Sequence, residues 1–255
     1  STPTRGIAMV KSCVRKSCIC PYAQGENAHP PFMGGPRVGT PSSPLRLAVL
    51  ISGGGSGMQA LLDHESKIAS PCFTTCVVVS DRKGAGGLSI AAEYGIAAEA
   101  VPLEDITVDA IPSRRRAHEM ALQLVLERHE VEGIILSGYM RILTANFLQD
   151  WSGRVLNIHP SLLPRHPGAH AHHDVLTSGD TVSGCTVHFV DSGMDTGAII
   201  AQSEVPVHKD DTIEMLQERV KVVEHRLYPH VIADFAAGRF RLEGETVIWE
   251  NLHDD

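Results

Sequence analysis

No apolar run in the 255-residue sequence approaches the ~20 residues that a membrane-spanning helix requires. The opening residues also lack the apolar segment of a secretory signal, so the chain reads as soluble and cytoplasmic with no membrane partner. Cysteine is sparse at six, and half of it sits at Cys13, Cys18 and Cys20. C-x4-C-x-C with no partnering cluster fits neither a zinc site nor a disulfide framework. A formal net charge of −8 supplies no whole-molecule attraction to nucleic acid. What remains is an intracellular domain acting on small molecules. Nothing in the composition sets an oligomeric state.

Acidic side chains are scarce in one place. Residues 1–44 carry five of the 22 Lys and Arg but only Glu26 of the 30 acids. The same segment is rich in Pro, Gly and Ser and has no apolar periodicity. Such composition buries too little to offset its ordering entropy, so 1–44 reads as a disordered or leader extension. A basic, acid-poor leader is compatible with organelle import. The folded domain is assigned to residues 45–255.

From Leu45 the pattern changes. "RLAVLIS" (Arg46–Ser52), "TTCVVVS" (Thr74–Ser80), a run near Ile96–Val101, "VEGIILSG" (Val131–Gly138) and "RVLNIH" (Arg154–His159) read as buried strands. Helices fall between them: one opened by the glycines after Ser52, a small-residue helix around Gly87–Tyr94, and one starting near Pro112. Ala117, Met120 and Leu124 lie at helical spacing on this last helix. Alternating strands and helices with near-continuous apolar strands predict an α/β fold, a doubly wound, mostly parallel Rossmann-like sheet. "GCTVHFV" and "AIIAQSEVPV" follow with no helix between them and predict an antiparallel addition. Asp211 with Glu214 forms a capping-box pattern before a last helix, whose stripe is Ile213, Leu216, Val220, Val223 and Leu227.

Four of the five residues Gly53–Gly57 are glycine, between the first strand and its helix. Backbone N–H groups and the helix dipole converge there, and glycine lets a phosphate approach. No Lys-Ser/Thr follows, which excludes a P-loop kinase. The spacing is G-x-G-x-G rather than G-x-G-x-x-G, so a nicotinamide site using Asp81 for a ribose hydroxyl is a weak rival.

Asn157 and His159 are two residues apart at the end of the fifth strand, so they share a face at the sheet edge where such folds bind ligands. A carboxamide and an imidazolium both donate to an oxygen that gains negative charge. A carboxylate favours the charged ring, and "DSGMDTGAII" offers Asp191 and Asp195. No nucleophilic side chain completes the group, so the nucleophile comes from a substrate. Ser161 lacks the G-x-S-x-G elbow and reads as a bond to the loop backbone. Five histidines crowd this stretch (His159, His166, His170, His172, His173), but without H-E-x-x-H or a cysteine pair no metal is expected.

With these residues in hand, the sequence resembles the phosphoribosylglycinamide formyltransferase family from about Leu45 to Trp249. "VLISGGGSGMQALLD", "LSGYMRIL", "LNIHPSLLPRHPGAHAH", "HFVDSGMDTGAIIAQ" and "VEHRLYP" carry the likeness in the family's order. The resemblance implies formyl transfer from 10-formyltetrahydrofolate to the amine of 5′-phosphoribosylglycinamide in purine biosynthesis, without metal. It implies that Gly55, Ser56 and Gly57 hold the ribonucleotide phosphate, with Glu224 near its amine. It implies that Arg115 and the segment Met140, Arg141, Ile142 and Leu143 meet the folate. Asn157 would bind the formyl oxygen, His159 would donate the proton, and Asp195 would keep His159 protonated. Related alternatives are formyl-folate hydrolysis, methionyl-tRNA formylation and a non-catalytic binding module. One departure stands out. The family reads G-N-G-S-N where this chain has Gly53 to Gly57, so Gly54 and Gly57 replace two asparagines.

Overall fold

A computed structural model describes residues 36–107 and 111–250. Strands β1 (Leu45–Ile51), β2 (Phe73–Ser80), β3 (Ala97–Ala100), β4 (Gly133–Leu136) and β5 (Val155–His159) pair in parallel. Strands β6 (Val182–Phe189) and β7 (Ile199–Pro206) run antiparallel and extend the sheet to the order β3-β2-β1-β4-β5-β6-β7. Helices α1 (Ser56–Lys67), α2 (Gly86–Glu93), α3 (Ile111–Arg128), α4 (Ala145–Asp150), α5 (Ala171–Ser178) and α6 (Ile213–Ala236) connect or cover the strands. A separate hairpin, β8 (Phe240–Glu243) and β9 (Thr246–Trp249), follows α6. This is the α/β sheet with an antiparallel addition that the apolar runs predict; the short α4 and α5 are additions to it.

The central strands β1 and β4 are buried on both faces, which is why they lack polar alternation, whereas the edge strand β3 is largely exposed. On β1, Leu45, Leu47, Val49 and Ile51 pack into one core with α1 and α6. Ala48 and Leu50 point the other way, into a core with α3 and α4. One strand therefore serves two cores by period-two alternation.

Helix α3 corrects the expected stripe. Met120 and Leu124 are each 64% exposed, while Leu122, Val125 and Leu126 are buried beside His118 and Glu119. Those two polar residues take core positions because their bonds are met there. His118 Nε2 donates to the Val101 carbonyl at 2.8 Å, and Glu119 accepts from the Thr144 N–H at 2.6 Å. Counting apolar residues alone shifts the phase of the helix.

The cap of α6 is also displaced by one residue. Thr212 Oγ1 accepts from the Met215 N–H, while Asp211 takes two bonds from Arg219, at 2.6 and 2.7 Å. That guanidinium, with the His208 N–H, holds the Asp211 carboxyl well below the usual carboxylate range. The stripe itself holds at Leu216, Val220 and Leu227; Ile213 is exposed.

Residues 36–44, assigned by composition to the extension, instead lie against the folded unit. Arg37 grips both Glu132 carboxylate oxygens, and the Gly39 N–H donates to the Ala236 carbonyl at 2.7 Å. The earlier part of the extension, with Cys13, Cys18 and Cys20, lies outside the described residues.

Candidate active site

Strand order reverses between β1 and its two neighbours, β2 and β4, the point at which open parallel sheets leave a crevice at their carboxyl ends. A cleft of about 660 Å³ opens there, lined by the glycine loop, the end of β4, the tip of β5 and one side of α6. Four separate stretches of sequence thus reach one cavity.

The glycine loop is shaped for an anion. Gly55 is the N-cap of α1 at φ 74° and makes no side-chain cap bond, so among the described residues the first-turn N–H groups of that helix have no capping side chain. Those donors and the helix dipole face the cleft. A Cβ at Gly55 would lie 2.8 Å from Gly87 Cα, and the Gly87 N–H donates to the Gly53 carbonyl. Two glycine segments therefore pack backbone against backbone. Nothing lies within 4 Å of a Cβ at Gly54.

Asn157 and His159 both line the cleft, as their spacing on β5 requires. His188, opposite Asn157 on β6, governs the amide. Its Nδ1 donates to the Phe189 carbonyl at 2.8 Å, which leaves Nε2 as an acceptor in the neutral ring. Asn157 Nδ2 lies 3.2 Å from that Nε2, so one amide hydrogen is held by His188 and the other remains for a ligand. Burial pushes the His188 pKa down and keeps the ring neutral.

His159 is 5% exposed and has an acceptor at each nitrogen. Nε2 donates to the His166 carbonyl at 2.8 Å, and Nδ1 stands 3.3 Å from Asp195 Oδ2. Asp195 Oδ2 also accepts from the Gly168 N–H at 2.8 Å, so one carboxylate ties two loops to the ring. His166 (φ 54°) and Asp195 (φ 56°) both adopt the left-handed conformation that ordinary side chains disfavour. Backbone strain sits on both partners of one histidine, as it does at functional sites. Asp191, the other candidate, instead holds Thr196 Oγ1 at 2.8 Å. Ser161 is fully buried and bonds the Arg165 carbonyl at 2.6 Å, the loop-holding role its sequence context predicts.

The segment 140–143 forms the opposite wall. The Met140 N–H donates to Ser52 Oγ at 2.8 Å, joining this wall to the end of β1. Met140 and Ile142 are exposed, and Leu143 is buried beneath them. Arg141 Nε donates to Asp81 Oδ2 at 2.7 Å. Asp81 is thereby paired with a cation, which argues against its serving a nicotinamide ribose. Arg115 is exposed on α3 and outside the residues that line the cleft, while Arg114 is spent on the Leu103 carbonyl.

Helix α6 brings Glu224 to the wall, and burial pushes its carboxyl up to about 7. One turn on, Tyr228 Oη lies 2.8 Å from the Leu136 carbonyl and 3.0 Å from that of Leu156, fixing α6 to both β4 and β5. Among the described residues no three His, Cys, Asp or Glu side chains gather as metal ligands. The histidine-rich stretch is divided instead: His166 pairs with Asp180, and His173 with Asp174.

Residues 45–232 match the family described as formyl transferase. The chain belongs to that family. A phosphoribosylglycinamide formyltransferase from Escherichia coli is 38% identical over 80% of this chain and 93% of its own length. The trifunctional purine biosynthetic protein adenosine-3 of Chironomus tentans is 46% identical over 77% of this chain, which spans only 14% of that relative's length. The crystal structure of glycinamide ribonucleotide transformylase 1 from Symbiobacterium toebii is 40% identical, with a TM-score of 0.76 over 82% of this chain and 95% of that one.

Sequence reasoning gave no binding or catalytic role to several residues that line the cleft of this formyl transferase, among them His188, His172 and Ser137. His188 sits in an apolar strand, and its importance follows only from the β5–β6 register. His172 follows a run of loop histidines that look alike in sequence; its Nδ1 is buried without a partner, and burial lowers its pKa. Ser137 was visible only as the polar end of β4.

Proposed function

We infer that this formyl transferase moves the formyl group of 10-formyltetrahydrofolate to the amine of 5′-phosphoribosylglycinamide. The observation that carries the reading is one cleft holding an uncapped helix start, an amide with a free hydrogen and an ion-paired imidazole. The ribonucleotide phosphate would lie on the N–H groups around Gly55, Ser56 and Gly57. The folate would lie against the 140–143 wall. The exposed Arg115 would meet only parts of the folate that project beyond the cleft.

The acceptor's neutral amine bonds to the formyl carbon, and the carbonyl π pair moves onto oxygen. Asn157 donates its free amide hydrogen to that oxyanion. Collapse of the adduct breaks the bond from carbon to the folate nitrogen. His159 supplies the proton that this nitrogen takes up, one ring N–H giving up its protein acceptor to do so, and Asp195 holds the ring in place beforehand. The amine's own proton passes to Glu224.

A coupled absorbance assay of formyl-folate consumption, with and without the ribonucleotide, tests this directly. Consumption is expected only with acceptor present; equal consumption without it would make the chain a formyl-folate hydrolase.

Glu224 gives the reaction a pH signature. With its carboxyl raised to about 7, the group ionises as pH rises through neutrality. Only the ionised form accepts the amine proton, so kcat/KM for the acceptor should climb across that range. Glu224→Gln should flatten this limb. A variant that retains it would move the titration to another group.

A further inference from the structure

Gly57 has no backbone reason to be glycine. It lies in the first turn of α1 without the left-handed φ of Gly55, and glycine weakens a helix there. Its only constraint is space. A Cβ at position 57 would sit 2.7 Å from Ser137 Oγ, and among the described residues no other atom beyond its own helix lies within 4 Å. Gly54, the other position that departs from the family pattern, faces open space. The two glycines therefore mean different things.

Ser137 is 8% exposed at the end of β4 and lines the cleft. No described residue donates to or accepts from its Oγ, although its backbone N–H is bonded to the Leu50 carbonyl. The hydroxyl reaches the cleft rather than being sealed in the core, so it is open to a ligand or water there. This hydroxyl stands beside the uncapped start of α1, where an anion is favoured.

We propose that Ser137 contacts the phosphorylated acceptor, its hydroxyl donating to a phosphate or ribose oxygen, and that Gly57 is glycine to keep that hydroxyl in position. This rests on the proposed acceptor, and Ser137 is a specificity-determining contact rather than part of the proton relay.

Ser137→Ala should raise KM for 5′-phosphoribosylglycinamide about 10-fold, as expected for one hydrogen bond to a charged group. The effect should fall on KM for the acceptor rather than on kcat or on KM for formyl-folate. Gly57→Ala, which turns the rotatable hydroxyl aside, should raise the same KM with little change in Tm, because the gain in helix propensity opposes the clash. In Gly57→Ala/Ser137→Ala the Tm should exceed that of Gly57→Ala, and KM should be no worse than in Ser137→Ala alone, the non-additivity of residues in contact. Calorimetry with ribose 5-phosphate and with inorganic phosphate should show weaker binding to Ser137→Ala. Weakening of both probes assigns the bond to phosphate, and of the first alone to ribose. An unchanged acceptor KM in Ser137→Ala, or a Gly57→Ala defect that persists without the hydroxyl, would overturn the proposal. If the wild-type chain shows no acceptor-dependent turnover, the proposed function fails, while the Tm cycle and the calorimetry still test the contact.

Discussion

Asn157→Ala should lower kcat by about 10²–10³-fold, the usual loss when one oxyanion donor is removed. The fold should survive, because Asn157 is half-buried and among the described residues its side chain bonds only His188. The loss should fall on kcat and on kcat/KM together, with little change in acceptor affinity, since the donor acts on charge that exists only in the transition state. Single-turnover kinetics with a thermal melt separates this from a folding defect. Near-wild-type turnover would remove Asn157 from the chemistry.

The second large effect belongs to His159. His159→Ala should cost about 10²–10⁴-fold in turnover, the range for general acid–base groups. Here some loss of stability is expected as well, because the ring joins the His166 carbonyl to Asp195. Asp195 would then keep the Gly168 N–H as a donor. The double variant Asn157→Ala/His159→Ala should fall short of the product of the two losses, since both groups serve the same adduct. A strictly multiplicative result would indicate that they act in separate steps.

The strands were legible because a sheet covered on both faces needs unbroken apolar runs, and such runs have few other uses. The placement of Asn157 and His159 in the cleft was legible for a related reason: period two and the carboxyl-edge rule locate both side chains without further contacts. What the sequence hid were relations between strands and helices. Nothing local distinguishes His188 from a core histidine until β6 is known to lie against β5. Met120 and Leu124 look like core residues only while His118 and Glu119 are assumed to need solvent. Asp211 looks like a cap until Arg219, two turns later, is seen to claim it. Residues 36–44 looked unstructured because their composition is polar, yet Arg37 finds Glu132 from 95 positions away. The carboxylate partner of His159 was legible as a choice between Asp191 and Asp195; the loop's fold, with Asp195 at positive φ, distinguishes them.

The Gly39–Ala236 bond has an architectural consequence. It brings the start of the folded unit to the end of α6, and Val38 packs against Gly238 there. The Glu250 N–H returns to the Arg239 carbonyl at 2.8 Å, next door. Chain therefore arrives and departs at one corner, well removed in sequence from the strand tips that form the cleft. A unit whose described ends adjoin can be carried within a longer polypeptide, its linkers leaving side by side.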